Sequence, residues 1–172
     1  HIDESALDEL VYGILKLKFD LGLFDNPYTN PDEFPQLVND EHREAAKRAA
    51  LRGCVLLKND HQVLPLSADL LGSVAVIGPL ADDGYEQLGT WVFDGEAQHS
   101  HTCLRGLHDL VGESVNIHWA RGMQTSRCRE NDGHDEAIQI ANDSDVAIMF
   151  MGEESILSGE AHCRAEINLP GS

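Results

Sequence analysis

One short apolar run constrains the fold of this chain more than any other feature. Six apolar residues, Val146 to Met151, follow one another without interruption and stop at Gly152. A run of this length that begins with a β-branched residue and ends at glycine is typical of a strand buried on both faces, as in the parallel sheets of α/β proteins. Because ligand sites in open α/β sheets lie beyond the carboxyl ends of strands, we expect the functional residues directly after this run.

Two other segments of the chain also predict strands. Residues 74–77 are an apolar run that ends in Gly-Pro, and residues 115–120 alternate between apolar and polar side chains. Helical segments at 104–110 and 135–142 separate the three predicted strands. The order strand, helix, strand, helix, strand predicts right-handed crossovers and a parallel sheet, and therefore part of an α/β/α sandwich.

The chain before the first predicted strand is predicted to contain two helices and a connection between them. Five apolar residues recur at helical spacing before Gly22 and predict an amphipathic helix capped by Asp3 or Ser5: Leu7, Leu10, Val11, Ile14 and Leu15. Residues 20–35 are rich in turn formers and contain three prolines, which indicates a connection. Residues 40–53 are rich in alanine and charge and predict a second helix. A helix followed by a linker is typical of the tail of one domain before the next.

Net charge narrows the possible partners. The 172 residues carry a formal charge of −18, which argues against nucleic acid or an anionic membrane because like charges repel. The negative charge does not disfavour the binding of neutral sugars. No apolar run approaches the roughly 18 residues of a membrane-spanning helix, and no signal segment opens the chain. The four cysteines have no CxxC spacing and are compatible with either thiols or disulfides.

The segment after the apolar run contains Gly152-Glu153, Glu160, Arg164 and the sequence EINLP at 166–170. This pattern resembles the acid/base loop of glycoside hydrolase family 3, the β-glucosidase family. The other similar phrases are KFDLGLFDNPY at 18–28, VLLKN at 55–59, LPL at 64–66, GPLAD at 78–82 and GTW at 89–91. The resemblance covers nearly the whole chain, but only as a slice of a longer protein.

The resemblance implies a division of the chain into three parts. Residues 1–25 correspond to the last helix of a (β/α)8 barrel domain, residues 26–39 to an inter-domain linker, and residues 40–172 to the first half of the α/β sandwich domain. We therefore expect the barrel, which would supply the aspartate nucleophile, to lie outside this chain. We also expect no hydrolysis from this slice alone.

The same resemblance places the general acid/base at Glu160. Without the surrounding motif, Glu160 could be a solvated loop acid, as most glutamates are. A retaining mechanism requires the acid/base carboxyl about 5–5.5 Å from the nucleophile. A carboxyl group on a loop of another domain meets this requirement only when the two domains are docked.

Four further residues are candidates for substrate binding or for support of the loop. Glu153 either holds the loop, which we favour, or contacts substrate. Arg164 either pairs with an acid to steady the loop, which we favour, or orients Glu160. His162 either hydrogen-bonds a sugar hydroxyl or is solvated or capping, which we favour. Trp91 follows a glycine-containing turn, where an aromatic plane could stack on the apolar face of a sugar ring.

Other kinds of site have less support. Trp119 lies within an alternating strand, which favours packing in the core over contact with sugar. His99-Ser100-His101-Thr102-Cys103 contains three potential metal ligands but has no fourth nearby in the sequence, so we predict no metal site. No GxGxxG follows a strand and no GxxxxGK[ST] occurs, so we expect no nucleotide cofactor.

The resemblance leads to one functional hypothesis and one rival. The chain is predicted to be part of a retaining, exo-acting β-glycosidase, most specifically a β-glucosidase, whose partners are an oligosaccharide or β-glucoside substrate and its own barrel domain. The rival is a non-catalytic α/β module that binds a small molecule or a protein, with the glutamates as a solvated rim. The sequence upstream of this chain separates the two. The resemblance also suggests a periplasmic or extracellular protein.

Overall fold

The computed structural model of the chain describes residues 2–34 and 38–171. These residues form the helices α1 (Glu4–Asp20), α2 (Asp40–Gly53), α3 (Cys103–Val111) and α4 (His134–Asn142), and the strands β1 (Ser73–Ile77), β2 (Asn116–Ala120) and β3 (Val146–Met149). The helices and strands predicted from the sequence are therefore confirmed.

The chain groups into two compact units, His1–Val55 and Leu56–Ser172. The first unit contains α1 and α2, in which no described residue is buried. The second contains the sheet with α3 and α4. The division into barrel helix, linker and sandwich domain remains a prediction, and residues 35–37 of the predicted linker lie outside the described residues, as do the two terminal residues.

The sheet is parallel, with β1 between β2 and β3. Alternate side chains of β1 point to opposite faces and form two separate clusters. Val74 and Val76 pack with Leu104 of α3, whereas Ala75 and Ile77 pack with Ala137 of α4. The sheet therefore has a helix on each face, and the predicted α/β/α sandwich is confirmed.

The prediction that β3 is buried on both faces is wrong. Val146 and Ile148 pack against the cluster on the α3 face, but Ala147 and Met149 are exposed. The reason is position, because β3 is an edge strand and α4 packs on β1 and β2. An unbroken apolar run thus forms a strand that is covered on one face only.

Trp119 also differs from expectation, since 39% of its surface is exposed. It lies on the outer strand β2, opposite Val76 of β1. The core on the α3 face includes Val115 and Ile117 from this segment but does not extend to Trp119. Core packing is therefore not its role within this chain.

Gly78 allows the chain to leave β1 close to the end of β3. The N–H of Phe150 donates to the carbonyl of Ile77 at 2.7 Å. Gly78 has φ of 131°, and a Cβ atom there would lie 2.2 Å from the carbonyl oxygen of Phe150. Only glycine fits this approach, which brings the loops after β1 and β3 together.

Candidate active site

The loop after β3 carries most of the predicted site residues, and an ion pair closes it on itself. Arg164 Nη1 lies 2.8 Å from Glu153 Oε1. Arg164 also donates through Nη2 to the carbonyl of Asn168 at 2.6 Å. Arg164 therefore joins the beginning of the loop to its far limb and pairs with Glu153.

A second contact ties this loop to the one after β2. Glu154 Oε2 accepts hydrogen bonds from Ser126 Oγ at 2.9 Å and from Arg127 Nε at 3.1 Å. Burial by itself raises the pKa of Glu154, but the hydrogen bonds from Arg127 and Ser126 outweigh it and hold that pKa below its ordinary value. Glu154 is therefore a partly buried, ionised anchor, and nothing in the sequence marks it as different from Glu153.

A third contact ties the loop to the segment after β1. The N–H of Ser155 donates to the Glu86 carboxylate, and the Thr90 hydroxyl donates to the carbonyl of Ser155 at 2.8 Å. Thr90 Oγ1 also lies 2.8 Å from the hydroxyl of Ser158. The resemblance to the GTW phrase identified this segment but not the role of the threonine within it.

Glu160 lies on a tight turn directly after these contacts. The N–H of His162 donates to the carbonyl of Gly159 at 3.1 Å, and Ala161 between them has φ of 62°. The Glu160 side chain is exposed. Within residues 2–34 and 38–171 no basic side chain forms an ion pair with it. The turn thus presents a carboxyl group that the loop itself does not use.

Trp91 lies beside this turn, and His162 lies on it. Trp91 is 62% exposed, and its Cζ2 atom is 4.0 Å from where a Cβ on Gly159 would lie. His162 is also exposed. The structure therefore brings Trp91 next to the Glu160 turn from a segment far away in the sequence, and both side chains remain available for contact.

The two histidines before α3 each lie against a carboxylate. His101 Nε2 lies 3.0 Å from Asp109 Oδ2, and His99 Nε2 lies 3.6 Å from Glu96 Oε2. The part of the chain that the structure describes contains no group of three or more potential ligands placed to hold a metal ion. The four cysteines are free thiols. No described helix has the length and apolar character needed to cross a membrane.

The sequence is similar to a known family and to several proteins named as glycosidases. The model of the glycosyl hydrolase family 3 C-terminal domain matches residues 54–172. A periplasmic β-glucosidase of Salmonella typhimurium is 34% identical over 98% of this chain and 25% of its own length. A β-xylosidase of Formosa agariphila is 35% identical over 96% of this chain and 23% of its own length. The chain thus spans about a quarter of the length of these curated relatives.

Solved structures are similar over nearly the whole chain. A β-glucosidase from intestinal bacteria, described as involved in saponin metabolism, has a TM-score of 0.79 at 27% identity over 98% of this chain and 26% of its own. A β-glucosidase of Listeria innocua in complex with isofagomine has a TM-score of 0.77 at 32% identity over 98% of this chain and 23% of its own. With a family match that covers more than half of its residues, this chain belongs to glycosyl hydrolase family 3, and residues 54–172 lie in the C-terminal domain of that family.

Proposed function

We propose that this chain supplies the general acid/base, Glu160, of a retaining, exo-acting β-glycosidase, and more specifically of a β-glucosidase. The observation that carries this proposal is the geometry of the loop after β3. Three sets of contacts hold its two limbs, whereas the Glu160 carboxyl is exposed on a tight turn between them. A group that must reach a substrate held by another domain needs a loop whose limbs are fixed and whose tip is exposed.

Glu160 would act twice in each catalytic cycle. An aspartate of the barrel domain attacks the anomeric carbon while Glu160 protonates the departing glycosidic oxygen. Glu160 then removes a proton from the water that releases the sugar from the aspartate. The two carboxyl groups must lie about 5–5.5 Å apart for this chemistry, so docking of the loop against the barrel is part of the mechanism.

The neighbouring residues divide into supporting and substrate-facing roles. Glu153 and Arg164 support the loop, because their ion pair links its two limbs at 2.8 Å. Trp91 and His162 face the substrate, because both are exposed beside Glu160. The indole of Trp91 would stack on the apolar face of a sugar ring, and His162 would hydrogen-bond a hydroxyl group.

The names of similar proteins support a proposal for the substrate class and the compartment. The names of the similar proteins include both β-glucosidases and β-xylosidases, which supports a β-linked terminal sugar as the substrate. One similar protein is named as periplasmic, which supports a periplasmic or extracellular location.

Replacing Glu160 by alanine in the full-length protein tests the acid/base role. We expect kcat/KM for an unactivated disaccharide to fall by about 10²–10⁴-fold, because protonation of a poor leaving group is lost. For an aryl glycoside whose phenol leaves readily, kcat/KM should fall far less. The exposed Glu113 provides a matched control, since Glu113→Ala removes a carboxyl group of the same domain away from the loop. Undiminished cleavage of the disaccharide by the Glu160→Ala variant would show the assignment to be wrong.

A further inference from the structure

Two side chains of one short segment bind both backbone polar groups of Ser155. The Glu86 carboxylate accepts the N–H of Ser155, and the Thr90 hydroxyl donates to its carbonyl at 2.8 Å. Ser155 is not part of the sheet but begins a single 3-10 turn, Ser155–Leu157. Two side chains thus provide the pairing that a neighbouring strand would provide to a strand residue.

Thr90 has further contacts with the same stretch. A hydroxyl group has one proton, so when Thr90 donates to the Ser155 carbonyl, the Ser158 hydroxyl must be the donor in its 2.8 Å contact with Thr90 Oγ1. The methyl group of Thr90 lies against Gly159, where a Cβ would come within 2.4 Å of Thr90 Cγ2. Thr90 therefore contacts three residues of the stretch that leads into Glu160.

We propose that Thr90, with the help of Glu86, is a positioning residue for the acid/base. Thr90 does not touch the reacting atoms. It fixes the turn before Glu160, so that the Glu160 carboxyl meets the glycosidic oxygen when the domain docks on the barrel. This inference rests on the proposed function of Glu160. It assigns a role to Thr90, the middle residue of the GTW phrase, and to Glu86, which no motif marks.

The test separates positioning from simple stability through the dependence on the leaving group. Thr90→Val keeps the shape of the side chain but removes the hydroxyl, whereas Thr90→Ser keeps the hydroxyl. Misplacement of an acid harms a substrate only as far as its leaving group needs a proton. Because kcat/KM of a retaining enzyme reports binding and the bond-breaking step, it is the quantity to compare.

For Thr90→Val in the full-length protein we expect kcat/KM for an unactivated disaccharide to fall by about 10- to 100-fold. We expect a fall of less than about threefold for an aryl glycoside with a good leaving group, since that step needs little acid assistance. Thr90→Ser should restore most of the lost activity on the disaccharide. Glu86→Gln, which keeps an acceptor oxygen for the Ser155 N–H, should have a smaller effect of the same kind.

Thr102 offers a matched control on the same unit. Its hydroxyl accepts from the N–H of Arg105 at 3.3 Å as the cap of α3 and donates to Asp82 at 2.6 Å. Thr102→Val therefore removes an equally well bonded hydroxyl that has no contact with the loop after β3. This variant should lower stability without distinguishing between the two substrates.

The possible outcomes separate this inference from the proposed function. If Thr90→Val lowers kcat/KM equally for both substrates, or for neither, while Glu160→Ala shows the dependence on leaving group, then Thr90 is not a positioning residue and only the further inference fails. If Glu160→Ala shows no such dependence, the acid/base assignment itself fails. The inference is supported if Thr90→Val and Thr102→Val lower the melting temperature by similar amounts, but only Thr90→Val lowers kcat/KM more for the disaccharide than for the aryl glycoside.

Discussion

The anchor at Glu154 should control how often the loop after β3 opens. The Glu154 side chain is only 12% exposed, and its carboxylate binds Ser126 and Arg127 of the loop after β2. Its own N–H also donates to Ser126 Oγ at 3.3 Å. Glu154→Ala would therefore remove the side-chain contacts between two neighbouring loops. The Ser126 hydroxyl would still accept from the N–H of residue 154, but its own proton would lose its acceptor in a residue that is only 4% exposed.

The size of the effect follows from the environment of each partner. A hydrogen bond to a charged group contributes about 1.5–3 kcal/mol, and an unpaired buried group costs about 1–3 kcal/mol. Arg127 is 47% exposed, so its ion pair is screened and contributes less than about 1 kcal/mol. The first two ranges describe the loss of the same contact between Ser126 and Glu154, so they are not added together. With the small contribution of Arg127 we expect a total of about 2–3 kcal/mol, which corresponds to about 30- to 150-fold more frequent opening of the loop.

Amide hydrogen exchange of the full-length protein measures this opening directly. Glu154→Ala should accelerate exchange of the amides of residues 154–158 by about the stated factor. Glu154→Gln keeps an acceptor oxygen and should have a smaller effect. The two variants Glu154→Ala and Ser126→Ala should be non-additive, because they remove the same contact. Unchanged protection of these amides in Glu154→Ala would refute the reasoning.

The same anchor predicts a dependence on pH. The pKa of Glu154 is held below its ordinary value in the folded protein because the hydrogen bonds from Arg127 and Ser126 outweigh the effect of burial. A carboxyl group with a lowered pKa stabilises the fold above its unfolded pKa of about 4.3, and this contribution disappears as the pH falls through the folded value. The protection of the amides of residues 154–158 against hydrogen exchange should therefore decrease on acidification in the parent protein. The decrease should be smaller in Glu154→Gln.

Three other substitutions test the structure. Gly78→Ala should destabilise the sheet by about 2–4 kcal/mol because its Cβ would clash with Phe150 and its φ is left-handed, and faster exchange of the β1 and β3 amides would reveal it. Ala161→Gly should relieve the strain of φ 62° and stabilise the turn by about 0.5–1 kcal/mol, seen as slower exchange of the His162 amide. Asp145 accepts the N–H groups of Ser73 and Gly72, which lower its pKa. Acidification should therefore destabilise the start of β1 in the parent protein, and it should do so less in Asp145→Asn. Exchange of the Ser73 amide across a pH series measures this difference.

The sheet and its helices are predictable because their signals are local. Apolar runs and helical periodicity place all three strands and both covering helices within a few residues. The exposure of one face of β3 is different, since it depends on strand order and on which strands α4 covers. No short stretch of sequence contains that information, so an edge strand and a central strand with the same apolar run look alike.

The candidate site was predictable only in part for a related reason. Spacing places Glu153, Glu160 and Arg164 in one loop, but it does not reveal which acid Arg164 pairs with. The contacts of Glu86 and Thr90 with Ser155 join segments that are distant in sequence, through single polar side chains that have no periodic pattern. Such contacts become visible only when the parallel sheet brings the ends of its strands together.

The open tip of the loop after β3 has a consequence for how the sequence of this domain can vary. The anchors at Glu153, Glu154 and Ser155 lie before the tip, and the arginine contact lies after it, whereas residues 160–163 have exposed side chains. Variation at 161–163 therefore leaves the supporting contacts in place. If Glu160 is the acid/base as proposed, a library randomised at 162 and 163, with Glu160 and residue 161 retained, would test new aglycones while the supporting contacts stay in place.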